Sequence, residues 1–225
     1  MANVHEKKIS FGDKFAHGIQ NNRKIILLVC ISILLVIIAF GIFSHVSDKA
    51  KERSMVAIEH AETLYTEWKA LPSDSQDRLT KADELKESLL AIADSNKNGY
   101  PDMKANYLLG LIMFSLEDYT NAITYFTSVS TDYADSYLAP VAKMNEAVSY
   151  EMLGQSDNAI NTYQSIVDDY ADTSAEVPHA LFSIGRIYDE LGNTELAIAV
   201  YEQVVSDYAD SEWAKLSQSR LIVIK

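Results

Sequence analysis

One cysteine, four prolines and eight glycines are all that this chain of 225 residues holds of those types. A lone cysteine, Cys30, excludes an intramolecular disulfide and leaves the redox compartment open. So little proline and glycine leaves few of the tight turns that a strand-rich fold needs, and composition leans all-helical. Cations are also short: 19 Lys and Arg stand against 32 Asp and Glu, a net charge of −13. The deficit is uneven. Residues 1–24 carry Lys7, Lys8, Lys14, Arg23 and Lys24 against Glu6 and Asp13, while from Ser44 onward 14 cations face 30 anions. A surface that acidic repels nucleic-acid phosphates and anionic lipid headgroups, so no nucleic acid is expected as a partner.

Catalytic vocabulary is missing too. The chain has no phosphate-binding G-x-x-x-x-G-K-[ST], no G-x-S-x-G and no H-E-x-x-H. His5, His17, His45, His60 and His179 stand at no metal-ligand spacing. Asp118, Asp168 and Asp169 read as turn or helix-end carboxylates with no second group for acid–base work. Cys30 lies in an apolar run that offers a nucleophile neither water nor base. The expectation is a non-enzyme with no cofactor and no metal.

The long apolar run is present. Residues 25–43, IILLVCISILLVIIAFGIF, are 19 without a charge. As a helix they reach ~28 Å, close to the hydrocarbon thickness of a bilayer. The run is longer than a signal-peptide core, and no convincing cleavage site follows it. A lipoprotein reading through Cys30 fails because the apolar run continues past that residue. An uncleaved single-pass anchor is expected. The five Lys and Arg before it outnumber Lys49, Lys51 and Arg53 just after it, which places the short tail in the cytoplasm and the rest across the membrane. Phe11, Phe15 and Ile19 share one face of a short interfacial helix before the span.

The remainder is organised by repetition. DYADS at 132–136 returns as DYADT at 169–173 and as DYADS at 207–211. Even spacing of one short segment marks a stack of like units rather than a catalytic site. Segments 104–136, 141–173 and 178–211 superpose in register. A small residue recurs at Gly110, Ala147 and Gly185, followed by Met113, Tyr150 and Tyr188 and then by Leu116, Leu153 and Leu191. Ala-Ile recurs at Ala122, Ala159 and Ala197, an aromatic at Phe126, Tyr163 and Tyr201, and a β-branched residue at Val129, Ile166 and Val204. This is the pattern of a helical hairpin, with small residues where its two helices, A and B, cross closely. Gly154 and Gly192 supply left-handed C-caps within units, and Asp157 or Thr194 can cap the helix that follows. Between units, Tyr133, Tyr170 and Tyr208 close over the end of helix B. Asp135, Asp172 and Asp210, or the next Ser or Thr, cap the next helix A. Ahead of the repeats, 46–71 reads as a helix stopped at Pro72, and 77–95 as a second helix ended by NKNGYPD.

These positions resemble the tetratricopeptide repeat, from which the chain departs by placing Ala134, Ala171 and Ala209 where that repeat has its closing proline. The resemblance implies an all-α fold: a single transmembrane helix, then an α-solenoid of about three clear repeats with a degenerate unit before them and a capping helix, 211–225, after them. The expected divisions are a tail (1–24), a transmembrane helix (25–43), a juxtamembrane helix with the degenerate unit (44–102) and the repeat domain with its cap (103–225). In such repeats the first helices line a concave binding face. Here that implies Lys104, Tyr107, Leu111 and Phe114, then Val141, Met144, Val148 and Glu151, then His179, Phe182, Arg186 and Asp189. The first two sets form an apolar groove suited to an amphipathic helix or unfolded segment, and the third a charged end. The chain's own 46–71 or 77–95 could fill the groove instead. Tyr107/Leu111, Met144/Val148 and Phe182/Arg186 stand where heat-shock-chaperone receptors of this fold need Lys and Asn, which argues against that ligand.

An anchor followed by such repeats resembles a bacterial envelope family that includes the ancillary subunit of the Sec translocon. The periplasmic division coordinator of the Tol system has related repeats. The resemblance implies an inner-membrane scaffold on the periplasmic side, with the translocon, periplasmic chaperones or unfolded secretory polypeptides as partners. The rival expectations are a structural assembly or division scaffold, and a homo-oligomeric membrane scaffold paired through 46–71.

Overall fold

The computed structural model describes residues 22–95, 99–171 and 173–225, all-helical with no strand among them. The interfacial face of Phe11, Phe15 and Ile19 and the Asp172 cap lie outside the described residues. The chain divides into two units, Met1–Glu52 and Arg53–Lys225.

In the first unit, helix α1 (Arg23–Lys69) carries the apolar run. Its most apolar window has a mean hydropathy of 3.4 and none of it is buried. Leu28 is 65% exposed and Phe40 71%. The helix is long and apolar enough to cross a membrane. Ser32 Oγ donates to the Val29 carbonyl at 2.8 Å, so its hydroxyl needs no outside partner. α1 continues without a break past residue 43 and ends at Lys69, just before Pro72 removes a donor.

The second unit is a run of hairpins. The C-terminal part of α1 pairs with α2 (Gln76–Ser95), and α3 (Tyr100–Ser115) with α4 (Tyr119–Asp132). Then α5 (Ala139–Met152) pairs with α6 (Ser156–Tyr170), α7 (Val177–Glu190) with α8 (Thr194–Asp207), and α9 (Glu212–Ile224) packs on α7 and α8. The core lies in two consecutive blocks that meet at α5. Ile58, Trp68, Leu89, Leu109 and Phe126 fill the first, and Tyr163, Ile166, Ile184 and Val204 the second.

The small positions do what their spacing implies. A Cβ on Gly110 would stand 2.6 Å from the Phe126 ring, and one on Gly185 2.8 Å from the Tyr201 ring. Each glycine therefore seats the large aromatic of its own helix B. The turns inside the units are left-handed, with φ of +69° at Gly154 and +75° at Gly192. The hairpin of α3 and α4 makes the same turn with Glu117 at φ +62°. A side chain in that region costs about 1 kcal/mol, so Glu117→Gly is expected to raise the urea midpoint by a stabilisation of about 1 kcal/mol.

Some caps follow the expectation and others do not. Asp118 caps α4, accepting from the Asn121 N–H at 3.2 Å, and Ser211 caps α9, accepting from Ala214 N–H at 3.1 Å. The N-cap positions of α6 and α8 are Gln155 and Asn193, so Asp157 and Thr194 already lie inside their helices and cap nothing. α5 starts after Leu138, which moves Asp135 and Ser136 out of capping range. The tyrosines of the repeated turns do close over helix B. Tyr133 and Tyr208 are C-caps, and the Tyr170 hydroxyl reaches back to the Ala134 carbonyl at 3.1 Å, tying one turn to the preceding one.

NKNGYPD does not simply end the helix before it. Tyr100, Pro101 and Asp102 form the first turn of α3, because a proline there gives up an N–H that has no helical partner anyway. Pro140 and Pro178 occupy the same place in α5 and α7. Proline spacing was therefore a further signal of the repeat, at the start of helix A rather than at the end of helix B.

Candidate protein-binding face

The residues expected to line the face sit on the first helix of each hairpin and lie side by side. Tyr107, Leu111, Phe114, Val141, Val148, Glu151, His179, Phe182, Arg186 and Asp189 are all half-buried. Met144 is only 5% exposed and belongs to the second core block, so it offers the face almost no surface. Leu111 and Phe114 pack on the first block, with the Phe114 ring edge-on to Tyr119 at 5.3 Å.

Successive first helices are joined across this face. Glu62 on α1 pairs with Lys104 on α3 at 2.7 Å. Asn145 on α5 donates through Nδ2 to the Tyr107 oxygen at 3.2 Å. Arg186 on α7 donates through Nη2 to Glu151 Oε2 at 2.7 Å and Oε1 at 2.9 Å, and through Nη1 to Glu190 at 3.1 Å. Arg220 on α9 pairs with Asp189. The charged end is thus internally neutralised: Glu151, Arg186 and Asp189 each hold an opposite charge from the chain itself. Lys104–Glu62, with Tyr65 packed in the same core block, also means that α1 borders the apolar end.

The Glu151 carboxylate has a second task. The Tyr163 hydroxyl donates to Oε1 at 2.7 Å from a ring that is 1% exposed. Burial, and then the bond and charge of Glu151, push that phenol far above the ordinary tyrosine value. At the far end, the His179 ring stacks on Trp213 at 3.8 Å and 6°, with Phe182 against the same indole at 5.4 Å. Burial lowers the His179 pKa, opposed by Glu176 at 3.4 Å. Sequence reasoning named both Glu151 and Arg186 but only one side of the other pairs across the face, missing Glu62, Asn145, Trp213 and Arg220. The missed signal was the period itself, since Arg186 and Arg220 hold equivalent places in consecutive units.

Beside the face, between α4, α5 and α6, Lys143 bonds Asp169 at 2.7 Å and Ser165 at 3.0 Å. Glu146 is less well served, with Ser130 Oγ at 3.5 Å. Burial raises its pKa, against the lowering pull of Thr127, Lys143 and Ser130. A raised folded pKa contributes stability below the ordinary value of 4.5 and loses it as pH rises through the folded one. Glu146→Gln is accordingly expected to raise the melting temperature at pH 7 and to lose that gain as pH falls to 4.5. Melts at the two pH values check this.

Among the described residues no group of three or more His, Cys, Asp and Glu could hold a metal ion. The family model for the tetratricopeptide repeat matches residues 104–136, 142–173 and 179–211. Two solved structures of similar fold come from Podosopora anserina, a protein of nearly identical TPR-like repeats assigned as a kinesin light chain and a single-residue variant of it. Each is 15% identical, covers 76% of this chain and has a TM-score of 0.55. The matched parts are 85% and 84% of those chains. No curated protein matches the sequence. With the hairpins, the close glycine–aromatic crossings and these matches together, the chain carries tetratricopeptide repeats over residues 104–211.

Proposed function

We propose that this chain is a membrane-anchored repeat scaffold that binds proteins on the far side of the membrane from its N-terminal tail. The observation that carries the reading is the bare apolar length of α1 ahead of a repeat stack. Side chains such as Leu28 and Phe40 stand exposed among the described residues, which suits a lipid surround. In a bacterial cell the stack lies in the periplasm beside the Sec translocon. There Tyr107, Leu111, Phe114, Val141 and Val148 offer half-exposed apolar surface to an emerging polypeptide before a chaperone receives it. The charged end adds little affinity because its charges are already paired among themselves. It sets the edge of the apolar stretch.

A photocrosslinking residue at Val148, in intact membranes, tests this. Val148 is suited because it is half-buried, whereas a label at Met144 would disturb the core. Adducts to translocon subunits, chaperones or secretory polypeptides are the expected result. Adducts confined to residues 53–95 of the same chain would mean that α1 and α2 occupy the face. Proteolysis of the stack from the cytoplasmic side would overturn the topology.

A further inference from the structure

We infer that the cleft between α4, α5 and α6 receives an arginine side chain of a partner polypeptide, with Glu146 as the carboxylate that holds the guanidinium. The cleft has a volume of about 640 Å³, walled by α4 and α6 and floored by α5. Its floor breaks the repeat. Glu146 stands just before the small residue Ala147, and the residues in the same place of the other hairpins, Leu109 and Ile184, are 0% and 2% exposed. The wall breaks it too. Ser130 follows the β-branched Val129, where the next units have Val167 and Val205. A stack held by apolar neighbour contacts gains no stability from a carboxylate and a hydroxyl at one junction. Such groups are retained at a cost where a ligand needs them.

The chemistry of the cleft selects the ligand. Lys143, one turn before Glu146, gives its ammonium to Asp169 at 2.7 Å and to Ser165 at 3.0 Å. Among the described residues no cation forms an ion pair with Glu146. The hydroxyls around it are spent as donors. Thr131 donates to the Thr127 carbonyl, Thr162 to the Asn158 carbonyl at 2.9 Å and Ser165 to the Thr162 carbonyl at 2.8 Å. Ser130 Oγ is 3.2 Å from the Thr127 carbonyl and 3.5 Å from Glu146, with one proton for the two. These oxygens keep lone pairs and can still accept. A carboxylate among acceptors calls for a cation with several donors. A guanidinium has five in one plane, so two can meet the carboxylate and others the hydroxyls, whereas an ammonium is a compact point charge with three. Asp135 beside the cleft and the acidic excess from Ser44 onward attract the same sign of charge. This site is separate from the helix-A face and needs no anchor.

Ligand-observed NMR on the full chain in detergent micelles tests the inference, with N-acetyl-arginine methylamide as the probe. Its citrulline counterpart, alike in shape but uncharged, is the control. The arginine probe should bind roughly tenfold tighter than the citrulline probe. Glu146→Gln should erase that difference, and because this variant is expected to be the more stable protein, lost binding is not lost folding. Lys143→Gln, which removes the competing cation, should tighten the arginine probe. Equal binding of the two probes, or a preference that Glu146→Gln leaves intact, would overturn the inference. Free arginine binding tighter than the capped probe would make the occupant a small molecule and overturn the polypeptide as its source.

Discussion

Trp68→Ala is expected to destabilise the start of the stack by about 3–5 kcal/mol, the range for truncating a large buried aromatic. Trp68 is 1% exposed, and its indole N–H donates to the Arg78 carbonyl at 2.9 Å. The Arg78 guanidinium lies 4.4 Å from the ring and donates to Leu71 O and Ser115 Oγ, each at 2.8 Å. One side chain therefore organises the turn between α1 and α2 and, through Arg78, its attachment to α3. Removing it leaves a cavity and exposes a buried cation's face. Repeat stacks hold together by neighbour contacts, so the loss stays local. Hydrogen exchange should show α2 opening while α5 to α8 keep their protection. Trp68→Phe, which retains most of the volume, should cost only about 1 kcal/mol for the lost hydrogen bond. Unchanged protection in α2 would mean that residues 53–95 are not the first unit of the stack.

Glu151→Ala is expected to cost about 2–3 kcal/mol, most of it from stranding a buried hydroxyl. Tyr163 loses its acceptor, while Arg186 keeps Glu190 and is partly solvated, so its share is small. The double variant Glu151→Ala/Tyr163→Phe should be more stable than Glu151→Ala alone, because the hydroxyl that had lost its carboxylate acceptor is gone. Urea unfolding of the three variants measures the coupling. The next unit is an internal control. Its equivalent residues are Tyr201, Asp189 and Arg220, and the aspartate is one methylene shorter than Glu151. Asp189 pairs with Arg220, but the enclosed Tyr201 hydroxyl has no acceptor for its proton, only the Arg220 guanidinium beside it. Tyr201→Phe should therefore be neutral or stabilising, in contrast to Tyr163→Phe. For the repeat over 104–136 the same places are Phe126, Phe114 and, on the helix that follows, Val148, with no polar group to satisfy.

The repeat was readable residue by residue because stacking imposes it. Gly110 and Gly185 must be small wherever a buried ring crosses the helix, and Gly154 and Gly192 must tolerate positive φ wherever the hairpin turns. Those are local demands of a fixed geometry, and they recur with the unit. The caps were less readable. Whether Asp135 or Asp157 caps a helix depends on a start point that shifts by a residue or two with the packing of the next turn. Proline at the start of α3, α5 and α7 was in plain view, but its meaning needed the helix boundary.

The sequence by itself determined the all-helical class, the apolar length of α1, the period of the stack and the residues that face one another inside each hairpin. Each follows from composition or from spacing along one chain. Only the tertiary structure decided what the helix-A face offers. Met144 turned inward. Glu151, Arg186 and Asp189 found partners on neighbouring helices, and α1 came to border Lys104. Those outcomes depend on which side chains from units more than thirty residues apart come within a few ångströms, and a repeat period specifies that neighbours meet without specifying how their side chains pair.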